Sequence, residues 1–343
     1  MIETCELRVD EEFANLLFAT DEGKRLGTSI RCVKLRTDAP KFTEVRRISE
    51  NLKLEGKYFF HGWHLSRKYS QAELRAARFF QLIPTAYFEP DGEQCGTIYD
   101  DASACPACGA GAPQTSDLRL DFRKLPRNKD IATTIANEIV VSQRLAQLLM
   151  DAGISGFSAR PARHKARYED DPLDFSQTPS GRILIAKAKE IGLPPGSGRF
   201  CIWLNRPELA NLVTSAQEEN AERLARRASQ RGRTWPVWHQ LVVDSRPVSV
   251  APVTRFGCGL FDADEKGQYR CQFGHLLGLN LLSELAIVEA DWDGADFVRT
   301  AQFVGVRRGQ LRPRNMLLVS QKVRQIFIEH KIKGADFEVA HLV

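Results

Sequence analysis

No stretch of about 18 consecutive apolar residues occurs in the sequence, so nothing in it reads as a membrane-spanning helix. The opening residues, MIETCELRVDEEFANLL, carry carboxylates where a secretion signal needs a basic start and an uninterrupted apolar core, and the expectation is a soluble, cytoplasmic protein. Cysteine is too sparse for a disulfide scaffold, at eight in 343 residues. The excess of positive charge is small as well. A net charge of +5 and a pI near 8.8 fall below the pI of about 9 that marks a nucleic-acid-binding domain.

Catalytic signatures are missing too. The sequence has no H-E-x-x-H, no G-x-x-x-x-G-K-[ST], no G-x-G-x-x-G after a strand and no G-x-S-x-G. The deaminase pattern fails because no H-x-E precedes the C-P-A-C run. His61 and His64, in HGWH, lack the i, i+4 spacing of helical metal ligands and read as packing or surface residues. No catalytic residue is therefore named, and the expectation is a protein that is not an enzyme.

What is present is ordinary globular material, 43% hydrophobic and 27% charged, in a chain long enough to divide into two or three subdomains. The expected fold class is α+β, with boundaries at 1–85, 86–161, 162–234 and 235–343. In KYSQAELRAARFF, Ser70 and Glu73 have capping-box spacing, and Leu74, Ala77 and Phe80 fall on one helical face. This helix would close an N-terminal α/β region of about 85 residues. In NEIVVSQRLAQLLMDAGISGF, Ile139–Val141 reads as a buried strand, Ser142 as an N-cap, and Leu145, Leu148 and Leu149 as an apolar stripe ending at Gly153.

The same unit returns at the end of the chain in NMLLVSQKVRQIFIEHKIKGADFEV. At an offset of 178, Asn137, Val141, Ser142, Gln143, Gln147, Ile154 and Gly156 recur as Asn315, Val319, Ser320, Gln321, Gln325, Ile332 and Gly334. Val323, Ile326 and Phe327 repeat the stripe. Two related strand-helix-strand units are expected, separated by a polar insertion over 162–234. The arginines of that insertion, Arg223, Arg226, Arg227, Arg231 and Arg233, read either as a solvated helix end or as a contact for nucleic acid or an acidic protein.

Cys105 and Cys108, in CPACG, have the spacing of one zinc knuckle, and Gly109 allows the positive φ such a turn needs. A closed site requires four ligands. The segment YRCQFGH offers Cys271 and His275, a knuckle whose last ligand has become imidazole. The expected metal ligands are thus Cys105, Cys108, Cys271 and His275, binding one structural zinc between the two copies in a zinc-ribbon-like site. Cys95 and Cys258 are reserves. The alternatives are two free thiols or a redox pair, the latter without a thioredoxin-like context. Cys5, Cys32 and Cys201 read as small buried hydrophobes.

The C-P-A-C-G turn, YRCQFGH, WPVWHQL at 235–241 and the terminal LLVSQKVRQIFIEHKIKGADFEV together resemble the bacterial double-CxxCG immunity-protein family and its uncharacterised relatives, over about residues 85–160 and 235–343. The resemblance implies a cytoplasmic protein that binds and neutralises a cognate toxin without catalysis. This sequence departs from the family pattern in its second turn, where C-x-x-C-G has become C-x-x-G-H, and in its N-terminal region and central insertion. Trp235 and Trp238 are candidates either for a partner-binding surface or for ordinary core at a strand start. The alternative reading of the whole is a nucleic-acid-binding zinc-ribbon protein.

Overall fold

Buried and outward-facing residues alternate over Cys5–Asp10 and Ile30–Arg36, the two segments that form the middle of the N-terminal sheet. A computed structural model describes residues 1–165, 175–193, 206–230, 236–264, 267, 269–276, 280–305, 307 and 311–343. In it β1 (Ile2–Asp10), β2 (Lys24–Leu26), β3 (Ile30–Arg36) and β4 (Phe60–Lys68) form an antiparallel sheet in the order β2-β3-β1-β4. Cys5, Leu7 and Val9 point inward against Val45, Ile48 and Leu52 of α1 (Pro40–Leu54). The same alternation corrects the reading of Cys32. Arg31, Val33 and Leu35 take the inner face of β3, so the Cys32 thiol lies half-buried on the outer face beside Glu6. Cys201 lies outside the described residues.

Ser70 and Glu73 do form a reciprocal cap, but on a short helix, α2 (Gln71–Ala76). The expected continuation through Phe80 is wrong. Phe79–Pro84 is a strand, β5, because pairing with the C-terminal sheet buries both aromatic rings on opposite faces, where one helical face would bury only Phe80. The position expected as a boundary, residue 85, thus directly follows a strand that belongs to the C-terminal half.

After β5 come β6 (Tyr87–Phe88), β7 (Ile131–Thr134), β8 (Ile139–Ser142), α3 (Gln143–Asp151) and β9 (Phe157–Pro161). The insertion contributes α4 (Pro179–Glu190) and α5 (Ala210–Gln230), which bury Phe175, Leu184, Ala188, Leu209, Val213 and Ala216 between them. The chain then forms β10 (Trp238–Val243), β11 (Leu285–Ile287), β12 (Phe297–Val304), β13 (Arg314–Ser320), α6 (Gln321–Glu329) and β14 (Ala335–Leu342). The architecture is mixed α and β.

Two five-stranded sheets result, ordered β9-β10-β8-β7-β6 and β11-β14-β5-β13-β12. Each half lends its leading strand to the other: β10 runs antiparallel between β8 and β9, and β5 runs antiparallel between β13 and β14. The registers coincide. Trp238, His239 and Gln240 face Ser142, Val141 and Val140, as Phe79, Phe80 and Gln81 face Ser320, Val319 and Leu318. Ile131 faces Val141 as Phe297 faces Val319.

Cross-contacts between the halves follow the same correspondence. The Asp130 carboxylate accepts from Ser142 Oγ at 3.2 Å and from the Lys333 amide at 3.1 Å. Asp296 accepts from Ser320 Oγ at 2.6 Å and from the Ser155 amide at 3.1 Å. Gly156 and Gly334 follow those two amides, both with positive φ. A Cβ on Gly156 would lie 2.3 Å from the Phe297 carbonyl oxygen, and one on Gly334 would lie 2.2 Å from that of Ile131. One shared core fills the space between the sheets, drawing Val141, Leu145 and Leu149 from the first half and Val319, Val323 and Phe327 from the second. Arg67, its side chain 3% exposed, joins Glu3 to Glu338 and so holds the N-terminal sheet to β14.

Candidate metal centre

Cys105 precedes Ile131 by 26 residues, and Cys271 precedes Phe297 by the same 26. Ile131 and Phe297 occupy matching places in the two sheets, so the two cysteines begin equivalent turns. In the first turn the Cys105 amide donates to the Ala110 carbonyl and the Gly109 amide to the Cys105 carbonyl, both at 2.7 Å. In the second, the Cys271 amide donates to the His275 carbonyl at 3.0 Å and the Gly274 amide to the Cys271 carbonyl at 2.8 Å. The second turn therefore closes one residue sooner. Gly109 and Gly274 correspond, Cys108 has no counterpart, and His275 stands where Ala110 stands, its longer side chain reaching inward in place of the missing thiol.

The structure brings all four expected ligands together. One ligand atom from each of Cys105, Cys108, Cys271 and His275 lies within 4.8 Å of the others. The His275 Nδ1 is 3.2 Å from the Cys108 sulfur and 3.4 Å from the Cys271 sulfur. Ligands at 2.0–2.3 Å around one tetrahedral ion sit roughly 3.3–3.8 Å apart, so the set has the right scale for a shared cation. Three sulfurs and an imidazole nitrogen suit a soft or borderline metal and not a hard one such as magnesium or calcium. Burial raises the Cys105 thiol's pKa, but backbone amides of Ala107 and Cys108 outweigh it and bring the value down to about 7. Cys108, pushed up by burial beside two other sulfurs, sits at about 11. Crowded thiols of this kind cannot all ionise unless a cation joins them.

No family model matches the chain, and a comparison with curated proteins found no matching relative.

The surroundings hold the two turns in place. The second is pinned to β12, where the Leu276 amide donates to the Phe303 carbonyl at 2.9 Å and the Phe303 ring meets His275 edge-on at 5.4 Å. The first is pinned to the residues following β12 through the Arg307 amide, which donates to the Cys108 carbonyl at 2.9 Å. Gly109 packs so closely there that a Cβ would come within 2.4 Å of Arg307 Cβ. Arg307 and Arg312 both pair with Glu93 and Asp101, so the loop bearing the first cysteines is tied to the second half by charge as well as by sulfur.

The reserves lie elsewhere. Cys95 is buried in a short turn, its pKa raised to about 11 by burial, and the exposed Cys258 donates to Asp262 at 3.2 Å. His61 and His64 lie on β4, with His61 beside Asp10 at 3.1 Å. Trp238 is core, 6% exposed, against Val140 and Leu118, and Trp235 is outside the described residues. Of the arginine run, Arg223 folds back onto Asn220 at 2.7 Å; the side chains of Arg226 and Arg227, and all of Arg231 and Arg233, are outside the described residues. Among the described residues, no helix is long and apolar enough to cross a membrane.

Acidic and basic residues that no sequence motif announces also surround the turns. Glu138 is buried, its two carboxylate oxygens taking hydrogen bonds from the Gly92 amide, Tyr99 and Thr134, and burial raises its pKa. Arg312 stacks on Tyr99, with 3.8 Å from guanidinium to ring centroid. The Arg307–Arg312 spacing was visible, but its partners lie some two hundred residues away, and no local pattern announces them.

Proposed function

We propose that this chain is a non-enzymatic binding protein built on a duplicated strand-helix-strand unit and held by one structural zinc in a zinc-ribbon-like site. In this reading it acts in the cytoplasm, in the manner of the double-CxxCG immunity proteins it resembles, and neutralises a cognate toxin by covering it. The observation that carries the proposal is the convergence of Cys105, Cys108, Cys271 and His275 from two separate turns. Four protein ligands complete a tetrahedral site and leave no position for a substrate, which is the arrangement of a structural metal. Zinc bound there would supply about 10 kcal/mol toward folding. That is enough to hold long loops rigid for a partner. The equal registers and the reciprocal Asp130 and Asp296 contacts support the duplication, since unrelated units have no reason to share them.

The test is tight, stoichiometric binding to the product of an adjacent reading frame, with protection from its toxicity at a one-to-one ratio. Protection by far less than one equivalent would show turnover and defeat the proposal. Failure to bind that product, combined with salt-sensitive binding to DNA or RNA, would favour the nucleic-acid reading.

A further inference from the structure

A crevice of about 270 Å³ opens between the two halves, away from the four metal ligands. Its apolar wall includes Leu241 from β10 and Leu317 from β13. Its polar lining is strongly one-sided in charge, with Arg299, Arg312 and Arg314 against a single carboxylate, Glu138, among the described lining residues. Glu138 does not balance them. It is 6% exposed, already hydrogen-bonded by Tyr99, Thr134 and Gly92, and burial favours its neutral form.

The three arginines differ in what already holds them. Arg312 is buried and spends its terminal nitrogens on Glu93 and Asp101, yet its Nε has no hydrogen-bond partner. Arg314 is exposed and donates to Asn137 Oδ1 at 3.2 Å. Arg299 is exposed on β12 and makes no ion pair or side-chain hydrogen bond among the described residues. Asn137 holds a left-handed backbone conformation, φ +65°, and its Nδ2 donates to the Arg312 carbonyl at 3.1 Å. The turn that presents Asn137 to Arg314 is thereby fixed from both sides.

We infer that this crevice binds a small carboxylate- or phosphate-bearing ligand, its oxyanion held by Arg299 and Arg314 and its remaining atoms against Leu241 and Leu317. A guanidinium fork matches the geometry of both oxyanions, and an unpaired arginine beside an apolar wall is poised to take one. The assignment rests on the crevice alone and does not depend on the proposed toxin binding.

Titration of the full-length protein with benzoate and with inorganic phosphate, followed by calorimetry and by the amide chemical shifts of Asn137 and Asn315, tests the assignment. Saturable binding of either probe is expected, with benzamide, the neutral analogue of benzoate, at least tenfold weaker than the acid. Arg299→Gln combined with Arg314→Gln should weaken binding at least tenfold; both side chains are exposed, and an unchanged melting temperature would show that the fold is intact. Single Arg299→Glu should abolish binding. No saturable binding of either probe up to about 10 mM, or binding unaffected by the double variant, would overturn the proposal.

Discussion

His275 reaches the three-cysteine cluster from a turn one residue shorter than the one bearing Cys105 and Cys108, and this makes the residue-level expectations specific. His275→Ala should remove the metal and lower the melting temperature by ten degrees or more. Cys95→Ala and Cys258→Ser should leave metal content unchanged, since neither thiol lies in the cluster. Elemental analysis of the three purified variants checks this. Gly156→Ala and Gly334→Ala should each cost on the order of 3 kcal/mol in denaturant unfolding, because each needs a positive φ and meets a carbonyl of the other half. The Cys105–Cys108 pair was legible because C-x-x-C spacing is a local signal of thiolate geometry. Cys32 was misread because a lone cysteine among apolar neighbours gives no hint of which strand face it takes.

At the scale of elements, the two Ser-capped helices carry the most sequence information and a measurable share of the stability. The Ser142 and Ser320 hydroxyls accept from the amides of Leu145 and Val323, and each hydroxyl also donates to an aspartate. Replacing either serine by alanine should cost about 1 kcal/mol in chemical denaturation. Asp130 adds a pH dependence. Burial opposes its charge, but the Arg144 guanidinium and the Lys333 amide outweigh burial and hold its folded pKa below the ordinary value. Its contribution is therefore complete above about pH 4, the unfolded value, and is lost as pH falls through the lower folded one. Asp130→Asn should lose about 2 kcal/mol at neutral pH and show a flatter stability profile below pH 4.

These strand-helix-strand elements could be read because cap, stripe and exit glycine are all set by near neighbours. The exchange of β5 and β10 could not. Which sheet a strand joins is decided by partners far along the chain, and the helical spacing of Leu74, Ala77 and Phe80 is equally compatible with a short helix followed by a strand. One trace was present in hindsight: FFQLIP and WHQLVV share a Gln-Leu pair at matching register, Gln81-Leu82 and Gln240-Leu241.

For the whole molecule, strand exchange and a shared cysteine–histidine cluster make the halves interdependent. A fragment covering residues 1–160 contains β5 but lacks β10, which separates its own β8 from β9. A fragment covering 161–343 has the converse defect. Expressed separately, both should be poorly soluble, and co-expressed with zinc they should form a one-to-one complex; two independently folded monomers would contradict this picture of the fold. Whether one structural zinc joins the halves is decided by metal analysis of the purified full-length chain. One equivalent of zinc per chain is expected, abolished in Cys105→Ser/Cys108→Ser and equally in Cys271→Ser. Metal-free protein that melts at the same temperature before and after zinc is supplied, or zinc retained when Cys271 is replaced, would contradict it.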